Sequence, residues 1–207
     1  MAFSSIPASE PCLRLDLERG GPGDVLGPLS LTLAPGETLA LTGPSGVGKT
    51  TLLRIIAGLE RRFHGRLQAP ARIAMVFQEP ALLPWRDAAQ NLSIIAGISA
   101  PEARRWLGDV GLAGCEARFP AQLSLGQQRR LALARAFASR PELLLMDEPF
   151  VSLDPELAEA MMALFERLRQ TTPVATILVT HVAAEARRLA SRQLRLAGRP
   201  ARLEDAE

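Results

Sequence analysis

One lysine occurs in this chain, and it stands in Gly43-Pro44-Ser45-Gly46-Val47-Gly48-Lys49-Thr50, while the other 23 of the 24 basic residues are arginines. Lysine is thus kept only where a compact ammonium and a planar guanidinium differ in use. The spacing G-x-x-x-x-G-K-T is that of a phosphate (Walker A) loop. Its glycines let backbone N–H groups turn inward around an oligophosphate. Lys49 then reaches the β and γ oxygens, and the Thr50 hydroxyl is placed to ligate Mg²⁺. Thr38–Thr42 reads as a buried strand entering the loop. Thr51–Leu59 reads as an apolar helix leaving it and closing at a glycine. A helix beginning at about Thr50 would point its positive end at the bound anion. A glycine-rich turn without a ligand is the bland alternative, and the strand, loop, helix order argues against it.

The 207 residues suit one domain, and a 47% hydrophobic content is enough for a full core. A formal net charge of +2 with scattered arginines gives no case for a nucleic-acid partner. Cys12 and Cys115 lie far apart and match no metal spacing, so they read as unpaired thiols of an intracellular protein. No apolar stretch approaches a membrane span, and the N-terminus lacks the pattern of an export signal. His64 reads as a surface-loop residue.

Residues 1–11 read as a loose tail. Alternating runs at Leu13–Leu17 and Leu29–Leu33, separated by Gly20-Gly21-Pro22-Gly23, predict an antiparallel pair. The runs Ile73–Phe77, Leu143–Met146 and Ala175–Val179 are apolar at nearly every position, as expected of strands buried on both faces. The fold expected is α/β: a P-loop NTPase with a mainly parallel core sheet, a small antiparallel β subdomain and an inserted α-helical subdomain. The core would span about 13–85 and 141–198, with the helical insertion at about 86–140.

Asp147 and Glu148 follow the run Leu143–Met146. A carboxylate there can hold Mg²⁺, which suits Asp147, and the next can polarise the attacking water, which suits Glu148. Two acids merely ending a strand are the alternative. Leu123-Ser124-Leu125-Gly126-Gln127-Gln128 opens a helix running to about Ser139, with Ser124 and Gln127 forming a capping box. At this point the chain resembles the ATP-binding subunits of ABC transporters, whose signature is L-S-G-G-Q. The resemblance runs from about Val25 to His181 with the motifs in family order.

That resemblance implies ATP and Mg²⁺ as ligands. It places nucleotide contacts on Gly43, Pro44, Ser45, Gly46, Val47, Gly48, Lys49, Thr50 and Thr51, with Asp147, Ser124, Gly126, Gln127 and Asp154. Thr50, Gln78 and Asp147 would hold the metal. Glu148, the Q-loop residue Gln78 and the switch residue His181 would serve hydrolysis, and Asp154 would lie in the D-loop Ser152-Leu153-Asp154. It implies a head-to-tail homodimer sandwiching two ATP molecules, each between one copy's phosphate loop and the other's signature helix. The N-terminus of a helix starting at Ser124 suits a γ-phosphate.

Three departures stand out. Leu125 replaces the family's usual glycine, Val182 replaces a common Asp after His181, and the segment Leu17–Val25 has no aromatic residue to stack on adenine. Arg19 is the substitute the sequence offers. The segment Phe77-Gln78-Glu79-Pro80-Ala81-Leu82-Leu83-Pro84-Trp85 resembles the Q-loop of import ATPases for nitrate, alkanesulfonates and taurine. Transmembrane permease subunits would dock near Gln78–Trp85. A solute-binding protein would complete such a system, with this subunit peripheral on the cytoplasmic side of the inner membrane. About 25 residues follow His181, too few for the C-terminal regulatory domain of some import ATPases. Besides an ABC transporter ATPase for another solute or an exporter, the competing readings are a soluble ABC-type ATPase of DNA repair or translation and a P-loop kinase. The first would need a coiled coil or a fused second unit, and the second has no use for Glu148, His181 and the signature helix together.

Overall fold

The computed structural model describes residues 10–205, so most of the tail expected over 1–11 lies outside the described residues. Strand β1 (Leu13–Gly20) pairs antiparallel with β2 (Leu29–Leu33), from Leu13↔Leu33 to Leu17↔Leu29, and their leucines face inward. Strand β3 (Thr38–Thr42) enters the phosphate loop, and helix α1 (Lys49–Ile56) leaves it. The helix begins at Lys49, one residue earlier than expected, and ends at Ile56 ahead of Gly58.

Strand β4 (Phe63–Gln68) joins the other edge of β1, making the small sheet three-stranded in the order β2-β1-β4. His64 therefore lies in a strand and not in a loop. The sequence Phe-His-Gly-Arg-Leu-Gln has no clean alternation to announce a strand. Gly65, at φ +141°, is what lets it pass: a Cβ there would lie 2.1 Å from the Asp16 carbonyl oxygen.

Strand β5 (Ile73–Val76) precedes three helices, α2 (Ala88–Ala96), α3 (Ala100–Asp109) and α4 (Leu125–Ala138). Strand β6 (Leu143–Asp147), helix α5 (Pro155–Thr171), strand β7 (Ala175–Val179), helix α6 (Ala183–Leu189) and strands β8 (Arg192–Gly198) and β9 (Ala201–Asp205) follow. The large sheet has the order β5-β6-β7-β3-β8-β9, parallel except for β9, which reverses against β8 and carries the sheet past the expected limit at 198. Polar residues alternate through β8 and β9, which hid them among loops.

The continuous apolar runs are explained by two separate cores. In β6, Leu143 and Leu145 face a core shared with β1, β2 and α1, whereas Leu144 and Met146 face one built with α4 and α5. Ile177 and Val179 of β7 divide from Leu178 in the same way. A sheet covered on both faces has no polar side to alternate with. No helix among the described residues is long and apolar enough to cross a membrane. Leu145→Ala, at a fully buried position, is expected to cost about 2–5 kcal/mol. Urea unfolding should show a lower midpoint with an unchanged slope.

Candidate active site

Parallel pairing puts the C-terminal ends of β3, β5, β6 and β7 along one sheet edge: Leu41 and Asp147 both face Val179, and Val76 faces Met146. The four loops leaving these ends carry the phosphate loop, Gln78, Glu148 and His181. After β3, Gly43 adopts φ +136°, where a Cβ would sit 2.2 Å from the Leu196 carbonyl oxygen. Gly48, the N-cap of α1, adopts φ +114° with Leu26 closing the space beside it. Neither position accepts a side chain, so packing against β8 and Leu26 imposes the loop's path.

Lys49 is 6% exposed and folds back across the loop, its Nζ donating to the carbonyl oxygens of Gly43 and Pro44, both at 2.9 Å. Two carbonyls thus accept from the buried ammonium, with the Asp147 carboxyl nearby, and an oligophosphate would add negative charge. An open groove of about 310 Å³ lies above, lined by Ser45, Gly46, Gly48, Lys49, Thr50, Thr51, Gln78, Asp147 and Glu148, with Val25 at its side. Val47 is buried in the core, so its contribution is limited to its backbone.

Burial pushes the Asp147 carboxyl above its ordinary range, against the pull of the Thr50 hydroxyl beside it. A cation at this point would relieve the cost of the charged form, so Thr50, Asp147 and Gln78 fit a Mg²⁺ site. Among the described residues there is no cluster of three or more His, Cys, Asp or Glu side chains able to hold a metal alone. A metal here would complete its oxygen shell from phosphate and water.

Glu148 occupies the left-handed region at φ +49°, and its N–H donates to the Val179 carbonyl at 3.0 Å. A non-glycine residue held there is strained, and such strain concentrates at functional positions. Its Oε2 lies 3.5 Å from His181 Nδ1. The sheet edge therefore joins Glu148 to the histidine leaving β7. Val182 carries no capping side chain for α6. Instead its N–H donates to Thr180 Oγ1 at 3.0 Å, and that hydroxyl donates to the buried Glu185. Sequence reading missed Thr180 and Glu185. Their signal was faint: a hydroxyl and a carboxylate five residues apart, straddling the His.

The second set of residues sits elsewhere. Ser124 Oγ accepts the Gln127 N–H at 3.2 Å and Gln127 Oε1 accepts the Ser124 N–H at 2.9 Å, which is the expected capping box opening α4. Leu125 is the first helical residue and half exposed, needing no glycine. At Gly126 an added Cβ would meet the Leu157 methyls at 3.1 Å, so this glycine serves close approach to α5. Asp154 caps α5 by accepting the Leu157 N–H at 2.9 Å. Ser124, Leu125, Gly126, Gln127 and Asp154 share a groove of about 460 Å³ that has no residue in common with the phosphate-loop groove. Arg19 is in neither groove: it pairs with Asp24 at 3.3 Å and meets His64 Nε2 at 3.2 Å.

Trp85 is 68% exposed, on a loop fastened by the buried Asn91. Asn91 accepts the Leu83 N–H and donates to the carbonyls of Leu83, Arg86 and Asp87. Asp87 and Gln90 form the capping box of α2.

A phosphate loop at the C-terminal edge of a parallel sheet, with a strand-end acid pair, defines a P-loop nucleotide-binding ATPase. The chain belongs to the ABC transporter family, whose model matches residues 26–151. It is 46% identical to the aliphatic sulfonates import ATP-binding protein SsuB 1 of Rhodococcus jostii (strain RHA1), over 83% of this chain and 73% of that protein. It is likewise 46% identical to SsuB 1 of Pseudomonas fluorescens Pf-5, over 92% of this chain and 74% of that one. Among solved structures it resembles the ATP-binding cassette MJ0796, a dimer in a post-hydrolysis state bound to ADP and Pi. The TM-score is 0.78 at 26% identity, covering 94% of this chain and 99% of that one. The protein is an ATP-binding subunit of an ABC transporter, an ATP hydrolase coupled to transport. The repair, translation and kinase readings find no favour in these relationships.

Lys49→Arg keeps the charge but brings a longer, wider planar group into a loop whose path is fixed by Leu196 at Gly43 and Leu26 at Gly48. Titration with a fluorescent ATP analogue is expected to show affinity lower by roughly tenfold or more, since charge-assisted phosphate contacts are lost.

Proposed function

We propose that the chain powers import of aliphatic sulfonates or closely related anionic solutes through separate permease subunits. The observation that carries this reading is the kinship with sulfonate import subunits over most of both chains. The segment Phe77–Trp85, with an exposed tryptophan on a stiff loop, supports docking of a permease helix there. Action at the cytoplasmic face of the membrane, with a solute-binding protein on the opposite side, follows from the same reading.

In the proposed site, the loop N–H groups from Gly46 to Thr51 and the Lys49 ammonium hold the phosphates of ATP. Thr50, Gln78 and Asp147 would hold Mg²⁺, which would neutralise phosphate oxygens as charge develops. Glu148 accepts a proton from the attacking water, and His181, within ion-pair distance, orients Glu148 and faces the γ-phosphate. Ser124, Gly126 and Gln127 of a second copy close the site, with Asp154 beside them. The separation of the two grooves within one copy supports this composite arrangement. Loss of the γ-phosphate then removes the anion that both copies share, and the dimer loosens.

Glu148→Gln should retain ATP binding while turnover falls by about a thousandfold or more. Size-exclusion chromatography with light scattering should show it shifting from monomer to dimer on Mg-ATP addition. Absence of a shift in a variant that binds ATP contradicts the composite site. For the solute, uptake of a labelled alkanesulfonate by cells that depend on this subunit should disappear with Glu148→Gln. Loss of nitrate uptake alone would reassign the solute.

A further inference from the structure

Helix α4 joins two loops of the site by arginine contacts that no phosphate-binding motif describes. Arg135 donates through Nη1 to the Ala81 carbonyl at 2.8 Å and through Nη2 to the Pro80 carbonyl at 3.1 Å. Six residues earlier on the same helix, Arg129 donates through Nη1 to the Pro149 carbonyl at 2.8 Å. Pro80 lies two residues after Gln78, and Pro149 directly follows Glu148.

These contacts are costly. Arg129 is 8% exposed and its Nε has no partner. Neither Arg129 nor Arg135 belongs to an ion pair among the described residues. Burial lowers the proton affinity of both guanidinium groups, with no acid to offset it. A desolvated cation held only by carbonyl dipoles adds little stability compared with an apolar side chain of similar volume. What Arg135 does hold is a strained backbone: Ala81 sits at φ +45°, where a residue with a Cβ needs outside support. Asn91 fastens the far end of the segment at Leu83 and Arg86, and Pro80 has no N–H to donate, so Arg135 is the side chain that holds the Pro80 and Ala81 carbonyls.

We propose that Arg135 is a positioning residue for Gln78. Its two-pronged grip on Pro80 and Ala81 fixes the loop that presents Gln78, while Arg129 pins the same helix to the loop that follows Glu148. Because Ser124 begins this helix, displacement of the Phe77–Trp85 segment is carried along one rigid rod to the surface that meets the second copy. The inference rests on the proposed role of Gln78 at the metal and water.

The test is a double-mutant cycle on steady-state ATP hydrolysis by the full chain, with Arg135→Leu, Gln78→Ala and the double variant. A second measurement follows hydrogen–deuterium exchange of residues 77–86. Arg135→Leu should lower kcat by about tenfold, since small misplacements of a catalytic group are enough for that, with ATP affinity unchanged. Exchange in 77–86 should accelerate. The double variant should be no slower than Gln78→Ala alone, because Arg135 acts only through that loop. Fully additive losses, or exchange unchanged in 77–86, would overturn the proposal. A parental rate for Gln78→Ala would instead overturn the role of Gln78, which separates the two failures. Should Arg135→Leu fold poorly, Arg135→Met, a long unbranched side chain with no donor for either carbonyl, replaces it in the same cycle.

Discussion

Parallel strand pairing at one sheet edge is the constraint on which the site depends. Hydrogen bonds between β3, β7, β6 and β5 put the ends of four strands level with one another, although their residues are far apart in sequence. Gly43, Gln78, Glu148 and His181 each leave one of those ends. A slip of one residue in any pairing would reverse the faces of that strand and exchange the two cores. The division of Leu143 and Leu145 from Leu144 and Met146 makes such a slip expensive, because both faces are already filled.

Much of this was legible in the residues themselves. The strand, loop and helix around Lys49 follow from local rules, as does the capping box at Ser124, and both occur as read. The continuous apolar runs announced strands with two covered faces. What escaped were β4, β8 and β9, whose side chains face partly to solvent and whose formation depends on a neighbour already in place. Gly65 shows the difficulty: its value lies in clearing the Asp16 carbonyl, a contact made across 49 residues. The candidate site divides similarly. Motif residues could be named from spacing, but Thr180, Glu185, Asn91 and Arg135 act through backbone groups that only the fold brings near.

The chain also shows how a family pattern can lose a residue and keep its geometry. Where an aspartate is common after the histidine, Val182 offers only its amide, which donates to the Thr180 hydroxyl, itself donating to the buried Glu185. Leu125 in place of glycine is accommodated because Ser124 already sets ordinary helical angles after it.

The separation of the two grooves has a consequence for populations of molecules. In the proposed pairing, every reaction centre borrows half its walls from a neighbour, so damage to one copy is also damage to its partner's chemistry. When intact and defective copies mix freely, the share of wholly intact pairs falls as the square of the intact fraction. A cell carrying both forms would therefore lose transport faster than it loses good protein.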